Sequence, residues 1–272
     1  MIQESLMNNP MTSDIQHPSD FIPDIARQRA ELRRQEEADP RRRILVIGVP
    51  GCGKTYVGCT TAPGPIVIDY DNQLDDPRIY ERLLGEFPMW NDKFVTDELK
   101  LKGTPLQRFE GVLALLAPKL TPAHTIIIDS MSTLADRLKE NLEARLPTEG
   151  KGDNYWFWRE WAKAWRKVCT LIKDVQCNVY FTAHESEVRD EESGRLQKYG
   201  WILQGKEFTP RVPQFFTDVV RMRRSVTANK EGAVTAESWL WQIRPTAEFP
   251  YAKSRCRLKQ MEITASWGEI TK

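Results

Sequence analysis

The feature that most constrains this chain is the glycine-rich run GVPGCGKT, which extends from Gly48 to Thr55. It directly follows residues 44–47, ILVI, a short continuous apolar run of the kind found in strands that are buried on both faces. The residues after the run are compatible with a short helix. A glycine-rich turn between a buried strand and a helix N-terminus points successive backbone N–H groups into a concavity that binds anions. The run therefore predicts a phosphate-binding loop within an α/β fold.

The loop follows the pattern G-x-x-x-x-G-K-[ST], in which the polar side chains have expected roles. We expect Lys54 to reach the β- and γ-phosphates of a bound nucleotide and the Thr55 hydroxyl to ligate Mg²⁺. A glycine turn that merely joins a strand to a helix would explain neither residue at its fixed offset. Cys52 is interpreted as a small filler rather than a redox sensor. The predicted nucleotide-binding residues are Gly48, Val49, Pro50, Gly51, Cys52, Gly53, Lys54, Thr55 and Tyr56.

Short apolar runs alternate with helical patterns in much of the remaining chain. Further strands are predicted at residues 66–68, 125–128 and 179–182. Helices are predicted at residues 76–87, 105–116, 132–146 and 155–175. After Gly200, strands at 218–222 and 239–243 with a turn-rich stretch at 229–232 predict an antiparallel hairpin. Strands that alternate with helices predict an α/β fold, with a mainly parallel sheet and helices on both of its faces.

The chain divides at Pro40. Residues 1–20 are polar and lack hydrophobic periodicity, which predicts a mobile tail. Residues 23–38 are densely charged and predict a helix, either a solvated one or an arm for oligomerisation or nucleic acid. We therefore expect a tail and charged helix over residues 1–40 and one nucleotide-binding domain over residues 41–272, since no Pro/Gly/Ser-rich linker interrupts the latter.

Composition limits the classes of protein to which the chain can belong. The five cysteines are odd in number and contain no C-x-x-C pair, which disfavours a disulfide framework or zinc site and indicates a reducing compartment. The N-terminus has no secretory pattern, and no apolar stretch approaches the ~20 residues of a spanning helix. We therefore expect a cytoplasmic protein without a membrane partner.

Charge is unevenly distributed although the net charge is only +1. Residues 189–259 carry 14 basic and 8 acidic side chains, whereas residues 69–100 carry 4 basic and 9 acidic ones. This asymmetry favours a basic face that could meet an anionic partner.

Acidic residues follow two of the predicted strands, at the edge where parallel strands end beside the phosphate loop. Asp129 is expected to hold the Mg²⁺ shell; the alternative is that Asp129 or Ser130 caps the next helix. Asp69 and Asp71 follow the strand at 66–68, and an acid there could orient and deprotonate a water in line with the γ-phosphate. The alternative for this pair is a turn-forming role.

A histidine and a long polar segment follow the strand at 179–182. His184 could donate a hydrogen bond to the γ-phosphate and lose it after hydrolysis, or it is an ordinary polar residue at a strand end. Residues 186–208 predict a long loop in which basic residues alternate with Tyr199 and Trp201. Such a composition suits single-stranded nucleic acid, although three acidic residues at 190–192 also fit a solvated loop.

Two further groups have competing interpretations. Trp158, Trp161 and Trp165 recur at helical spacing, which favours the buried face of a helix over a base-stacking platform. Lys253 and Arg255 could neutralise charge on the γ-phosphate of a neighbouring subunit, or they are surface charges.

The motifs GVPGCGKT, VIDYDNQLDD, IIIDS, VYFTAHE and AKSR, in this order, resemble the RecA-like ATPase core. More narrowly, the chain is similar to short phage nucleotide-binding proteins associated with single-strand annealing and recombination. The resemblance implies that Lys54 and Thr55 belong to Walker A, that Asp129 is the Walker B acid, and that His184 is the polar sensor. It implies that Asp71 is the catalytic carboxylate, with Asp in place of the usual Glu. Lys253 and Arg255 then match the K-x-R pair that ring-forming members insert into the adjacent subunit's site.

The resemblance implies an ATP- and Mg²⁺-dependent ATPase that binds single-stranded DNA as a homo-oligomer, a ring or a filament. A single-strand-binding protein is a candidate further partner. Three alternatives remain open at this point: a helicase or loader ATPase, a nucleotide-gated scaffold with little turnover, and a P-loop kinase for small molecules. In the kinase, the arginine-rich stretch at residues 221–224 would form a lid over the phosphates.

Overall fold

The computed structural model describes residues 40–73, 89–91, 99–203, 209–229 and 234–272. The predicted tail and charged helix and the predicted helix at 76–87 lie outside the described residues, as does most of the turn predicted at 229–232. Arg41–Lys272 forms one compact unit. Among the described residues, no helix has the length and apolar character needed to cross a membrane.

The described strands form one mixed sheet. In chain order they are β1 (Arg43–Gly48), β2 (Pro65–Asp69), β3 (Met89–Asn91), β4 (Thr125–Asp129), β5 (Asn178–Arg189), β6 (Leu196–Trp201), β7 (Asp218–Ala228), β8 (Val234–Gln242) and β9 (Glu262–Thr264). Parallel pairing joins six of them in the order β3-β2-β4-β5-β1-β7. Antiparallel pairing then adds β8 and β9 beyond β7, and β6 to the end of β5. The predicted α/β fold, mainly parallel with a C-terminal antiparallel pair, is confirmed.

Helices cover both faces of this sheet, as the sequence predicts. They are α1 (Lys54–Thr61), α2 (Pro105–Leu116), α3 (Met131–Arg145), α4 (Asn154–Asp174) and α5 (Trp267–Ile270). One apolar layer joins the sheet to α2, α3 and α4, and a second, smaller layer joins the other face to α1 and α5. The amphipathic α2 begins at a capping box in which the Thr104 hydroxyl accepts from the Gln107 backbone and Gln107 accepts from the Thr104 backbone.

Strand β1 shows why the apolar runs are continuous. Successive side chains of a strand point to opposite faces of the sheet. Ile44 and Val46 therefore lie in the smaller layer, while Leu45 and Ile47 lie in the larger one, and all four are fully buried. Because both faces of this strand are buried, polar residues do not alternate with apolar ones along it. The predicted strand that is buried on both faces is therefore confirmed.

Helix α4 corrects one of the tryptophan predictions. Trp161 and Trp165 are buried on the sheet, as the helical spacing indicates. Trp158 is 45% exposed, so its predicted place on the buried face is wrong. Phe157 is buried instead, because it also lies one helical turn before Trp161 and the helix can direct only one of the two neighbours to the core.

The segment predicted as a long loop at residues 186–208 is largely a hairpin. β5 continues to Arg189, and β6 returns antiparallel to it from Leu196 to Trp201. Residues 204–208 of the predicted loop lie outside the described part of the chain. The loop prediction holds for the connecting turn at residues 190–195 and is wrong for the two strands. These polar strands lie outside the sheet core and lack the apolar pattern that identifies a buried strand, yet their pairing satisfies their backbone groups.

The burial of α4 leads to a stability prediction. Replacing the fully buried Trp165 by alanine leaves a large cavity against the sheet, so we expect the free energy of unfolding to fall by about 3–5 kcal/mol in urea denaturation. Trp158→Ala on the same helix is the matched control, and its cost should stay within about 1 kcal/mol. Equal losses in the two variants would contradict the described packing.

Candidate nucleotide-binding site

The loop between β1 and α1 has the backbone shape that its glycines allow. Gly51 and Gly53 have φ angles of 74° and 93°, in the left-handed region that favours glycine. Gly53 immediately precedes the first residue of α1, so the loop ends at a helix N-terminus. Free N–H groups and the positive end of the helix dipole lie there, which suits a phosphate group.

Lys54 lies folded across this loop. Its Nζ donates to the carbonyl oxygens of Gly48 at 2.9 Å and Val49 at 3.0 Å, and its side chain is buried. The ammonium group is thereby held inside the curve of the loop rather than in solvent. Cys52 is also buried, and burial raises the pKa of its thiol although the Lys54 charge opposes this. That placement agrees with a filler, since a raised thiol pKa disfavours the reactive thiolate.

Asp129, at the end of β4, connects the loop helix to the neighbouring strand. Its Oδ2 accepts from the Thr55 hydroxyl at 2.8 Å, and its Oδ1 accepts from the Thr182 hydroxyl of β5. Burial raises the pKa of Asp129, and the nearby Asp71 charge raises it further, while the hydroxyl donors act in the opposite direction. The residue is thus held by two oriented hydrogen bonds in a buried position beside Thr55.

The alternative in which Asp129 or Ser130 caps the next helix holds for Ser130 and is wrong for Asp129. Ser130 is the N-cap of α3, and its Oγ accepts from the Thr133 backbone. The Asp129 carboxylate instead faces Thr55. A hydroxyl and a carboxylate oxygen side by side are the hard donors that Mg²⁺ accepts together with phosphate oxygens and water. Thr55 and Asp129 therefore fit the expected metal ion.

Asp71 lies just beyond β2 and is anchored by the start of α3. Its Oδ1 accepts from the Ser130 hydroxyl at 2.9 Å and from the Thr133 hydroxyl. Its Oδ2 lies 3.6 Å from Nε2 of His184. Burial opposes ionisation, but the nearby His184 ring and the hydrogen bonds from Thr133 and Ser130 outweigh it and lower the pKa of Asp71. The carboxylate is therefore ionised at neutral pH.

The structure brings together two residues that the sequence singled out separately. His184 pairs in register with Gly48, the first residue of the phosphate loop, so it lies at the same level of the sheet. Its ring then reaches Asp71 two strands away, and its Nδ1 is a buried atom without a hydrogen-bond partner among the described residues. The Asp71–His184 pair therefore lies at the carboxyl edge of the parallel strands, beside the loop.

Sequence analysis missed the hydroxyl groups that hold these acids. Thr182 orients Asp129, while Ser130 and Thr133 orient Asp71. Thr182 was visible as a polar residue inside an otherwise apolar strand, and Ser130 as a cap. Which acid each one contacts depends on strand order, and a local pattern does not contain that information.

Lys253 and Arg255 lie near the amino ends of the parallel strands, whereas the phosphate loop lies at their carboxyl ends. Lys253 bridges to Val219 near the start of β7, and the Arg255 backbone N–H donates to Asp218 at 2.9 Å. Val219 is paired with Leu45, about 10 Å along the strand from Gly48 at 3.3 Å per residue. These residues are therefore not part of the site formed by their own phosphate loop.

The environment of the pair is strongly positive. Burial lowers the pKa of Lys253, Asp218 acts in the opposite direction, and the charges of Arg255 and Arg43 lower it again. Arg42 also pairs with Asp218 at this edge. Several cations thus surround the single carboxylate of Asp218, an environment that would attract an anion supplied from outside the subunit.

The remaining basic and aromatic candidates have other roles. Arg221, Arg223 and Arg224 lie within β7 and pair with Glu185, Glu262 and Glu237, respectively. A lid of the kind expected in a kinase is not formed by this stretch. Arg221 also covers the Tyr199 ring at 3.5 Å, and Trp201 is buried against Tyr251. These two aromatic rings are therefore engaged within the subunit.

Comparison with known families agrees with this geometry. A family model described as AAA domain matches residues 41–256. The chain belongs to the AAA domain family. No curated protein matches it. The AAA domain belongs to the P-loop ATPases, so the prediction of a P-loop ATPase that binds nucleotide is confirmed at this level. The narrower resemblance to phage recombination proteins stays a prediction, as do the catalytic roles of individual residues.

Asp71→Asn tests the role of the anchored carboxylate in this AAA domain. Asparagine keeps an oxygen that can accept from Ser130 and Thr133 but removes the negative charge that faces His184. We expect the rate of ATP hydrolysis to fall about 10²–10⁴-fold, because the neutral amide would orient the attacking water less well and could not accept its proton, with little change in ADP affinity.

The measurement is phosphate release under saturating ATP, beside ADP titration. Asp174→Asn, at the exposed last residue of α4, is the matched control and should behave like the wild type. Full hydrolysis by Asp71→Asn would remove Asp71 from the catalytic set.

Proposed function

We propose that this protein is a Mg²⁺-dependent ATPase that assembles into a homo-oligomer and acts on single-stranded DNA in the cytoplasm, in phage-type annealing, recombination or replication. The observation that carries the proposal is the continuity of β5. This strand contains His184 beside the phosphate loop and continues to Arg189 in an exposed hairpin. A change at the nucleotide can therefore be transmitted along one strand to an exposed hairpin that carries both basic and acidic side chains.

Within the proposed site, we assign a residue to each task that hydrolysis requires. Lys54, held inside the loop, binds the β- and γ-phosphates, and the N-terminus of α1 stabilises their charge. Mg²⁺, when bound by Thr55 and Asp129, supplies further neutralisation of that charge. Asp71 orients the attacking water. Because its pKa is lowered, orientation contributes more than proton abstraction.

The hairpin of β5 and β6 is the proposed DNA-contacting element. Arg189, which pairs with Glu187, and Arg195 are exposed near its turn, whereas Tyr199 and Trp201 are covered by neighbouring residues. Contact with DNA is therefore expected through phosphate groups rather than through base stacking. Contact of this kind is independent of sequence and depends strongly on salt.

The proposal of an oligomer is supported by the position of Lys253 and Arg255. They lie at the amino edge of the sheet, away from their own phosphate loop, in a positive environment. A neighbouring subunit that presents its nucleotide to this edge would receive both cations at the γ-phosphate.

One observation favours a second candidate function. A carboxylate with two hydroxyl donors on Oδ1 and a lowered pKa is a weak proton acceptor. Slow turnover would follow, so the protein could act as a nucleotide-gated DNA-binding scaffold. Tight ATP binding with negligible phosphate release would identify this function.

Single-stranded DNA should stimulate ATP hydrolysis, because the hairpin and His184 belong to the same strand. The measurement is phosphate release from ATP with and without DNA, with Lys54→Ala as the inactive control. The double variant Arg189→Ala/Arg195→Ala should bind DNA more weakly, with the slope of log affinity against log salt reduced by about 1.4, or ~0.7 per lost phosphate contact. Arg166→Ala, an exposed arginine on α4, is the matched control.

DNA-independent hydrolysis would contradict the proposed coupling. An unchanged salt slope in the double variant, with DNA binding intact, would instead move the DNA contact away from the hairpin.

Arg255→Ala tests the shared site. This variant should hydrolyse ATP poorly, while its backbone bond to Asp218 is preserved. Mixed in equal amounts with Lys54→Ala, it should recover roughly one quarter of the wild-type rate, because one site in four then combines an intact loop with a neighbour's intact arginine. Arg257→Ala, exposed two residues further, is the control. No recovery on mixing, or normal activity of Arg255→Ala alone, would contradict a shared site.

A further inference from the structure

Two aromatic rings pack against each other where the phosphate loop meets α1. Tyr56 is the third residue of α1, and its ring centroid lies 5.2 Å from that of Trp239 on β8, with an angle of 32° between the rings. Tyr56 is 36% exposed and Trp239 is partly buried. The two rings thus form an apolar surface that solvent can still reach. It lies beside the first turn of α1, the helix that begins at Lys54.

The register of β7 and β8 explains how Trp239 reaches the loop. Trp241 pairs with Met222, and its fully buried indole packs near Tyr180 beneath the sheet. Trp239 precedes Trp241 by two residues, so it lies on the same face of the sheet but closer to the turn of the hairpin, where it pairs with Arg224. The last β1–β7 pair joins Ile47 to Arg221, so Trp239 lies beyond the carboxyl end of β1, where the phosphate loop begins.

The contact between Trp239 and the loop is close. A Cβ atom added at Gly53 would lie 2.3 Å from Nε1 of Trp239, so the indole lies directly on the glycine backbone. The Nε1–H is buried and has no acceptor among the described residues. Tryptophan is a donor only, and a buried indole N–H normally finds a partner. Trp165, Trp201 and Trp241 share this unused donor, so the feature that sets Trp239 apart is its position against the phosphate loop beside the partly exposed Tyr56.

We propose that Trp239 and Tyr56 form the surface that binds the base of the nucleotide whose phosphates lie in the loop. Aromatic side chains stack on nucleobases because every base has a π-face. This inference rests on the proposed nucleotide binding. It adds that the β7–β8 hairpin contributes to the site and that the protein distinguishes a nucleotide from a plain polyphosphate.

The test compares two ligands that share phosphates and differ in the base. Mg-ADP and Mg-tripolyphosphate are titrated by calorimetry into the wild type, Trp239→Leu and Trp239→Phe. We expect Trp239→Leu to weaken ADP binding about tenfold, within the range of a lost stacking contact, and to leave tripolyphosphate binding within about twofold. Trp239→Phe keeps a ring and should lose less affinity for ADP than Trp239→Leu does.

Trp158→Leu on α4 is the matched control, since it removes an exposed indole that lies away from the loop. A second readout is intrinsic fluorescence: ADP should quench the wild type and Trp158→Leu, and should quench Trp239→Phe much less. Circular dichroism shows whether each variant is folded.

Two results would overturn the inference. Equal losses for both ligands in Trp239→Leu would make the indole a support for the loop, and unchanged ADP affinity would place the base elsewhere. Either result leaves the proposed ATPase intact, provided that wild-type binding of ADP requires Lys54. A wild type that binds neither ligand would overturn the nucleotide-binding proposal together with this inference.

Discussion

The hydrogen bonds of the Asp129 carboxylate are the contacts on which the rest of the site depends. One oxygen accepts from Thr55 at the start of α1 and the other accepts from Thr182 inside β5. A buried carboxylate that lost either donor would carry the cost of an unsatisfied charge, so the two bonds hold the loop helix and two strands in one arrangement. Because the backbone oxygen of Asp129 also accepts from Tyr70 and Asp71, β2 is tied to the same point.

Strand β5 connects this arrangement with the surface of the protein. It lies between β4 and β1 in the sheet and thus separates the acid from the phosphate loop by one strand. Thr182 and His184 face the site from this strand, and its continuation forms the exposed hairpin. On the other side of β1, β7 continues into the hairpin that carries Trp239 to the loop. The two strands that flank β1 therefore extend past its carboxyl end. β5 connects the site with the β5–β6 hairpin, and β7 connects it with the β7–β8 hairpin.

The sequence predictions are accurate where the signal comes from residues close together in the chain, and they fail where the structure depends on distant residues. The apolar run before Gly48 and the one before Asp129 form the predicted strands because burial on both faces leaves a local signal. The hairpin after His184 was predicted as a loop because its strands are polar and their pairing is non-local. Trp158 was assigned to the core because two adjacent residues fit the same helical stripe, and only packing against the sheet selects Phe157.

The sequence by itself determined the phosphate loop, the alternation of strands and helices and the acids at the strand ends, since these depend on backbone preference and on periodicity between near neighbours. The tertiary structure decided which side chains meet. Thr55 and Asp129 are 74 residues apart, and Thr182 and Asp129 are 53 apart, so their contacts require the strand order of the folded sheet. The same holds for the placement of Trp239 on Gly53 and of Arg255 at the far edge, because strand register sets both positions and a local pattern does not specify it.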